Sequence, residues 1–142
     1  MKIQQLSLFV ENKPGHITAP ARLLAQEGID LRSLYLADTE KFGIVRVIVK
    51  EWQKAAALLE AHGFVVKITE VLAVEVPDRP GGLAHLLGAL DGSGINIEYM
   101  YAFPYLCGGQ AVMIFRFNDL DAAIAHLQKA GINIVAGDEL LK

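Results

Sequence analysis

The stretch NKPGHI (residues 12–17) returns as DRPGGL (residues 78–83), 66 positions further along the chain. Each stretch ends an alternating apolar segment and begins a segment whose apolar residues have helical spacing. Three further pairs occur in the same order: GIDL (28–31) with GINI (94–97), Gly43 with Gly109 and, at a shift of 68, Gly63 with Gly131. Matching landmarks in one order indicate a tandem duplication, with about two extra residues in the second copy.

Each copy is predicted to form a strand, a helix, two strands, a second helix and a final strand. In the first copy, residues 5–11 alternate as the two faces of a half-buried strand do. Residues 17–26 and 52–62 carry apolar side chains at helical spacing, and a Gly follows each segment closely. Residues 38–41 are predicted to form the hairpin turn between the two middle strands.

The second copy repeats this order, and Asp119 is predicted to cap its second helix. The order βαββαβ is typical of the ferredoxin-like arrangement. We therefore predict an α+β fold with two ferredoxin-like βαββαβ units in tandem, antiparallel sheets and helices on one face. The predicted units are residues 1–69 and residues 70–142, which no Pro- or Gly-rich linker separates.

Composition restricts the class of protein. The 142 residues are 53% hydrophobic, so the chain is too apolar to be disordered. A net charge of −3 argues against nucleic acid or an anionic membrane as a partner, and no apolar segment is long enough to cross a bilayer. The single cysteine, Cys107, excludes an internal disulfide and a cysteine-based zinc site. We expect a soluble, cytoplasmic protein.

Apolar residues on both faces of the predicted strands suggest a partner. Ile44 and Ile48 alternate with Val45 and Val47, whereas an antiparallel sheet with one solvated face alternates more cleanly between apolar and polar side chains. We therefore predict a homodimer or partner sheets that cover part of this surface. Scattered apolar residues at strand edges are the alternative interpretation.

The two Pro-Gly stretches carry groups that suit a zwitterion. A loop that enters a helix presents unpaired N–H groups to a carboxylate, and Gly15, Gly81 and Gly82 let a ligand approach the backbone closely. Asp78 can accept hydrogen bonds from an ammonium group, as Asn12 can more weakly. An Asp or Asn before Pro-Gly is also an ordinary turn that needs no ligand, so both interpretations stay open.

These motifs carry a resemblance to a known family. Asn12-x-Pro14-Gly15 and Asp78-x-Pro80-Gly81, each after the first strand of a βαββαβ unit, resemble the ACT domain, a small-molecule sensor module. The resemblance implies a non-catalytic regulatory protein without a cofactor. Such a protein binds a free amino acid at interfaces between ACT units and modulates a metabolic enzyme or regulator.

In the family, residues of the first loop face the start of the second strand of the adjoining unit. Carried onto this chain, the resemblance implies these ligand-binding residues: Asn12, Gly15, His16, Ile17, Asp30, Leu31, Asp78, Gly81, Gly82, Leu83, Asn96 and Ile97. No catalytic or metal-binding residue is implied. The two sites are expected to differ, because His16 stands where the second copy has Gly82 and Pro20 stands where it has Leu86. Thr18 is predicted to cap the first helix, which would leave Pro20 in its first turn.

Two other classes of function stay open. A regulatory subunit that acts by docking alone would be unaffected by any amino acid, and a small α/β-plait enzyme would need a clustered set of catalytic groups. No two histidines have the i, i+4 spacing of a helical metal pair, although His85 is a weaker candidate for ligand contact. Cys107 is predicted to be a structural thiol. The alternating aromatic residues from Tyr99 to Tyr105 are predicted to pack and not to stack on RNA.

Overall fold

The computed structural model describes residues 1–38 and 40–142. The described chain divides into two compact units. The N-terminal unit comprises Gln4–Thr69 with Leu141, and the C-terminal unit comprises Met1–Ile3, Glu70–Leu140 and Lys142. The turn predicted at residues 38–41 includes Thr39, which lies outside the described residues.

The N-terminal unit contains the elements of the first copy. They are β1 (Ile3–Glu11), α1 (Thr18–Gln26), β2 (Ser33–Asp38), β3 (Phe42–Ile48), α2 (Trp52–Ala61) and β4 (Val65–Val76). The boundary between the units falls within β4, and Ile3 of β1 groups with the C-terminal unit. The strand order is β2-β3-β1-β4, and β3 pairs antiparallel with both β1 and β2.

Alternation along the strands places one apolar face of this sheet against both helices. Alternate residues of β1 and β3 pack with residues of α1 and α2 in a single core. The buried residues of this core are Leu6, Leu8, Val10, Leu24, Ile29, Val45, Val47, Val49, Ala55 and Leu59. Helix α1 begins at Thr18, but Ile17 occupies the N-cap position and no side-chain cap is present there. The prediction that Thr18 caps α1 is therefore wrong, because Thr18 is already the first residue of the helix. Pro20 lies in the first turn, where its missing N–H costs no intrahelical bond.

The C-terminal unit repeats the arrangement. After β4 come α3 (Gly82–Gly88), β5 (Ile97–Cys107), β6 (Gln110–Phe117), α4 (Leu120–Lys129), the short β7 (Ile134–Val135) and α5 (Gly137–Leu140). Its strand order is β7-β4-β6-β5, with antiparallel pairing throughout. The prediction of an α+β fold with two βαββαβ units is confirmed, and α5 is an addition that the sequence pattern did not predict.

Both faces of the C-terminal sheet are apolar. On the helix face, Phe115 and Phe117 stack at 5.3 Å and pack with residues of α3 and α4. On the opposite face, Tyr101 and Phe103 are buried as predicted, whereas Tyr105 is 55% exposed. Asp119 caps α4 as predicted, because its side chain accepts a hydrogen bond of 3.0 Å from the Ala122 N–H.

The pairing of the strands shows that one match between the two copies, that of Gly43 with Gly109, is wrong. Val10 pairs with Gly43 in the N-terminal unit, and the equivalent Val76 pairs with Ala111 in the C-terminal unit. Gly43 is therefore equivalent to Ala111 and not to Gly109, which has a φ of +79° and precedes β6. The two extra residues of the second copy lie in its β5–β6 hairpin, where the register shifts between Phe103 and Cys107.

Candidate ligand-binding site

The loop before α3 is held by its own backbone. The Arg79 N–H donates to the Pro77 carbonyl oxygen at 2.9 Å, and the Gly82 N–H donates to the Arg79 carbonyl oxygen at 3.0 Å. Gly81 has a φ of +86°, a conformation that favours Gly. A Cβ on the buried Gly82 would lie 2.0 Å from the Pro77 oxygen. The space that a side chain at residue 82 would need is therefore occupied by protein backbone, and the Gly82 N–H already donates a hydrogen bond to Arg79.

Asp78 lines a cleft of about 580 Å³ within the C-terminal unit, a size within the range of about 300–1,000 Å³ that small-ligand pockets have. The cleft lies between the loop, α3, the start of β6 and the end of α4. Its lining residues are Glu75, Pro77, Asp78, Arg79, His85, Leu86, Gly109, Gln110, Ala130, Gly131 and Ile132. The structure thus brings the predicted Asp78 together with charged and polar groups from distant parts of the sequence.

The charged groups of this cleft are not paired with one another. Asp78, Arg79 and His85 line it from the loop and α3. Glu75 also lines it, but its side chain alternates with the core residues Val74 and Val76 and so lies on the sheet face away from α3 and α4. Among the residues that the structure describes, the ion pairs are formed by other side chains. Asp78, Arg79 and His85 are exposed and Glu75 is half-buried. The side chains of Asp78, Arg79 and His85 are therefore available to a ligand.

The predicted residues of the second strand lie elsewhere. Asn96 and Ile97 line a different pocket of the same unit, of about 260 Å³, with Leu87, Leu90, Asp91 and Ile95. The Asn96 N–H donates to the Asn118 side chain at 2.9 Å, and its carbonyl oxygen accepts from the Asn118 N–H at 3.1 Å. Its side-chain amide is exposed. Asp78 and Asn96 are thus not brought together within this unit.

The first loop of the N-terminal unit differs in its contacts. The imidazole Nδ1 of His16 and its backbone N–H both contact the Lys13 carbonyl oxygen, and the Lys13 ammonium pairs with Glu11 at 3.1 Å. The Asn12 N–H donates to the Lys41 carbonyl oxygen at 3.0 Å. The loop before α1 and the loop before α3 therefore differ in their hydrogen bonds and ion pairs.

The remaining predicted residues of the N-terminal unit play partly structural roles. Gly15 has a φ of +81°, as its counterpart Gly81 does. Ile17 and Leu31 pack against the core. The Asp30 carboxylate is 81% exposed and lies 4.0 Å from the guanidinium of Arg32. In the C-terminal unit, Leu83 likewise packs against the core.

Sequence reasoning missed Glu75 and Gln110. With the corrected register, Glu75 corresponds to Phe9 and Gln110 to Phe42, both large exposed hydrophobic residues of the N-terminal unit. When the two copies are aligned with a shift of 66 residues, the sequence itself shows that Phe9 of the first copy corresponds to Glu75 of the second. A comparison of the two copies position by position could therefore have found Glu75, whereas Gln110 required the register.

Comparison with known families decides the class of the chain. The ACT domain pair family matches residues 1–142. The chain belongs to the ACT domain family. Comparison with curated proteins gave no match.

Several solved structures resemble this ACT pair. A protein from Bacteroides thetaiotaomicron is 37% identical, with a TM-score of 0.91, over 100% of this chain and 97% of that one. The regulatory subunit of aspartate kinase from Thermus thermophilus is 20% identical, with a TM-score of 0.65, over 90% of each chain. The corresponding Thermus flavus subunit is 17% identical, with a TM-score of 0.60, over 90% of this chain and 92% of that one. These two subunits show a shared fold.

The thiol of this ACT pair is a poor nucleophile. Desolvation by burial, and then the hydrogen bond that the Cys107 thiol donates to Glu139 at 3.5 Å, raise the pKa of Cys107 above its ordinary value. The neutral thiol is the favoured form, and the thiolate is the reactive one. The contacts of Cys107 thus agree with its predicted structural role.

Within residues 1–38 and 40–142, no three His, Cys, Asp or Glu side chains are grouped so that they could hold a metal ion. Of the helices described, none has both the length and the apolar character needed to cross a membrane.

Proposed function

We propose that this ACT pair is a non-catalytic regulatory protein that binds a free amino acid at interfaces between ACT units and modulates a metabolic enzyme or regulator. The observation that carries the proposal is the cleft in which Asp78 and Arg79 lie with unpaired charges. The Asp78 carboxylate suits an α-ammonium group and the Arg79 guanidinium suits an α-carboxylate. A zwitterion needs both groups close together.

The proposed ligand contacts follow the family pattern. Asp78, Gly81, Gly82 and Leu83 of the first loop belong to the proposed site, with Asn96 and Ile97 of an adjoining ACT unit. Because Asp78 and Asn96 line different pockets of one unit, a ligand that contacts both requires a unit from a second copy. The proposal therefore includes a homodimer.

The first loop and second-strand start of the N-terminal unit are proposed as a second, weaker site, with residues Asn12, Gly15, His16, Ile17, Asp30 and Leu31. The proposed ACT units are residues 1–69 and 70–142. We also propose a cytoplasmic location, which the single cysteine of the chain supports.

Ligand binding regulates a partner when the ligand has different affinities for two arrangements of the protein. The regulatory-subunit neighbours with the same fold support this type of mechanism for the present chain. Binding of an amino acid would stabilise one arrangement and so change the activity of the associated enzyme or regulator.

A thermal-shift screen of the purified chain against the twenty amino acids tests the proposal. A ligand that binds only the folded state raises stability by about 2.7 kcal/mol at a hundredfold excess over its Kd. We expect a reproducible increase in Tm with one amino acid or a few of similar chemistry. If no amino acid raises the Tm at millimolar concentration, the sensor proposal fails and a subunit that acts by docking alone is favoured. Turnover of an added amino acid would contradict the non-catalytic role.

A further inference from the structure

Strand β2 forms an outer edge of the sheet of the N-terminal unit. It is the first strand in the order β2-β3-β1-β4, and its pairing with β3 runs from Ser33 to Asp38. An edge strand presents a row of main-chain N–H and C=O groups to any chain that can add a strand. Leu34 and Leu36 of β2 are 50% and 39% exposed. This edge of the sheet is therefore apolar.

Both of these leucines lie on the helix face of the sheet. Leu34 is directly opposite Val47 of β3. Leu36 is directly opposite Val45. Because the two valines belong to the core that contains α1 and α2, the leucine side chains continue that core to the edge of the sheet. An added strand with apolar residues on the same face would cover them.

The corresponding edge strand of the C-terminal unit is protected against pairing. Strand β5 carries Pro104, which has no N–H to donate, and the exposed charge of Glu98. Its pairing with β6 has register shifts near both ends, and Ala102 occupies the position of Leu36. Within the described residues of β2 there is neither a Pro nor a register shift. The contrast indicates that β2, and not β5, has a strand as its partner.

We propose that β2 pairs antiparallel with β2 of a second copy of this chain, about a two-fold axis at Tyr35. Leu34 then faces the partner subunit's Leu36, and Leu36 faces the partner subunit's Leu34, so that four exposed leucines cover one another on the helix face. This inference goes beyond the proposed function, because the pairing requires no amino acid. It joins N-terminal units, so the contact between C-terminal units that a ligand shared by Asp78 and Asn96 needs is a separate one.

Charges at the two ends of the strand favour the same register. Arg32 directly precedes β2 and Asp38 is its last residue, so in this register each lies opposite the other in the second copy. The Arg32 guanidinium donates to the Leu141 carbonyl oxygen at 3.2 Å and lies 4.0 Å from the Asp30 carboxylate. A guanidinium has five N–H donors and can also accommodate the exposed Asp38 of the partner subunit. The symmetric pairing thus forms two ion pairs.

Other registers place unfavourable groups opposite each other. An axis at Leu34 sets Asp38 opposite the partner subunit's Asp30, and like charges directly opposite are destabilising. An axis at Leu36 sets each Leu34 opposite an Asp38 carboxylate. Pairing of β2 with β5 of a second copy, in the equivalent register, sets Asp38 opposite the partner subunit's Glu98. The register centred on Tyr35 avoids all three arrangements.

Sedimentation velocity of the full chain tests the pairing. Leu36→Lys places a charge among the four leucines and should halve the mass of the assembly. Ala102→Lys, at the equivalent exposed position of β5, is the matched control and should leave the mass unchanged. Asp38→Lys should weaken self-association about tenfold, because it replaces two attractions with two repulsions. Circular dichroism shows whether each variant is folded.

Disulfide formation tests the register. In a Cys107→Ser background, Tyr35→Cys should cross-link two copies under mild oxidation. The residue on the axis faces itself with Cα atoms about 4.5–5.5 Å apart, a separation that a disulfide can span. Ala37→Cys is the control on the same face of the strand. It should not cross-link, because residue 37 and its copy would lie about 13 Å apart along the strand.

The outcomes separate this inference from the proposed function. A chain that is monomeric at every concentration contradicts both this pairing and the homodimer of the proposed function. An assembly that persists in Leu36→Lys, or that dissociates equally in Ala102→Lys, contradicts this pairing alone. Cross-linking of Ala37→Cys as efficient as that of Tyr35→Cys overturns the proposed register. If no amino acid raises the Tm, the sensor proposal fails and the strand pairing stands.

Discussion

Gly82 approaches the carbonyl oxygen of Pro77 so closely that a Cβ at residue 82 would lie 2.0 Å from it. The contact joins the end of β4 to the start of α3 across the loop that carries Asp78 and Arg79. Any side chain at residue 82 forces this loop or the helix to move. The Gly at this position therefore constrains the backbone of the loop that carries Asp78 and Arg79.

Gly82→Ala should destabilise the protein by about 1–3 kcal/mol, the usual cost of overpacking a buried position. Gly88→Ala is the matched control in the same helix, since a Cβ there meets nothing within 4 Å and Ala is favoured over Gly in helices by about 0.5–1 kcal/mol. Urea denaturation measures both. Equal effects of the two substitutions would show that the contact with Pro77 is unimportant.

Asp78→Ala should weaken binding of the amino acid that the thermal-shift screen identifies, with little effect on Tm in its absence. The carboxylate is exposed and, among the described residues, takes part in no ion pair, so its removal costs no internal contact. Titration calorimetry of the variant measures the change in Kd. Glu60→Ala removes an exposed carboxylate from α2 and controls for net charge. Unchanged affinity in Asp78→Ala would remove Asp78 from the proposed site.

Asp119→Ala should lower the free energy of unfolding by about 0.5–2 kcal/mol, because the first turn of α4 loses the side-chain acceptor of the Ala122 N–H. Asp119→Asn keeps an acceptor at the same place and should retain most of the stability. Thermal or urea denaturation of the two variants makes the comparison. A loss as large in Asp119→Asn as in Asp119→Ala would contradict the capping role.

Cys107 should react with iodoacetamide along a pH profile whose midpoint lies above 9.0, the ordinary value for its thiol. Its raised pKa means that the folded chain keeps the proton as pH increases, so any stability from this group is present below pH 9.0 and lost above it. Glu139→Gln should lower the midpoint, since it removes a negative charge beside the sulfur. Glu98→Gln is the control. A midpoint at or below 9.0 would contradict the effect of burial.

Much of the fold could be predicted from the sequence because its signals are local. Alternation in β1, helical spacing in α1 and α2, and the cap at Asp119 each depend on residues within about one turn or a few strand positions. The duplication then gave the order of elements in both units. The four-residue α5 has no comparable periodicity, and it was missed.

The candidate site was predicted only in part, because its groups come from distant parts of the chain. Asp78 was identified from a short motif, and the structure places it in the cleft. Glu75 and Gln110 join it only because β4 pairs antiparallel with β6. The same pairing shows that Gly43 corresponds to Ala111, a relation that a constant shift along the sequence cannot give.

By itself, the sequence determined two βαββαβ units, their family resemblance and the importance of the loop at residues 78–83. The tertiary structure decided which side chains share a cleft and why Gly82 is required. The physical reason is that periodicity and turn chemistry act between near neighbours. Strand register and the approach of Gly82 to Pro77 depend instead on how the whole unit packs, and it is this packing that brings Asp78 and Arg79 into one cleft with Gln110 and Gly131.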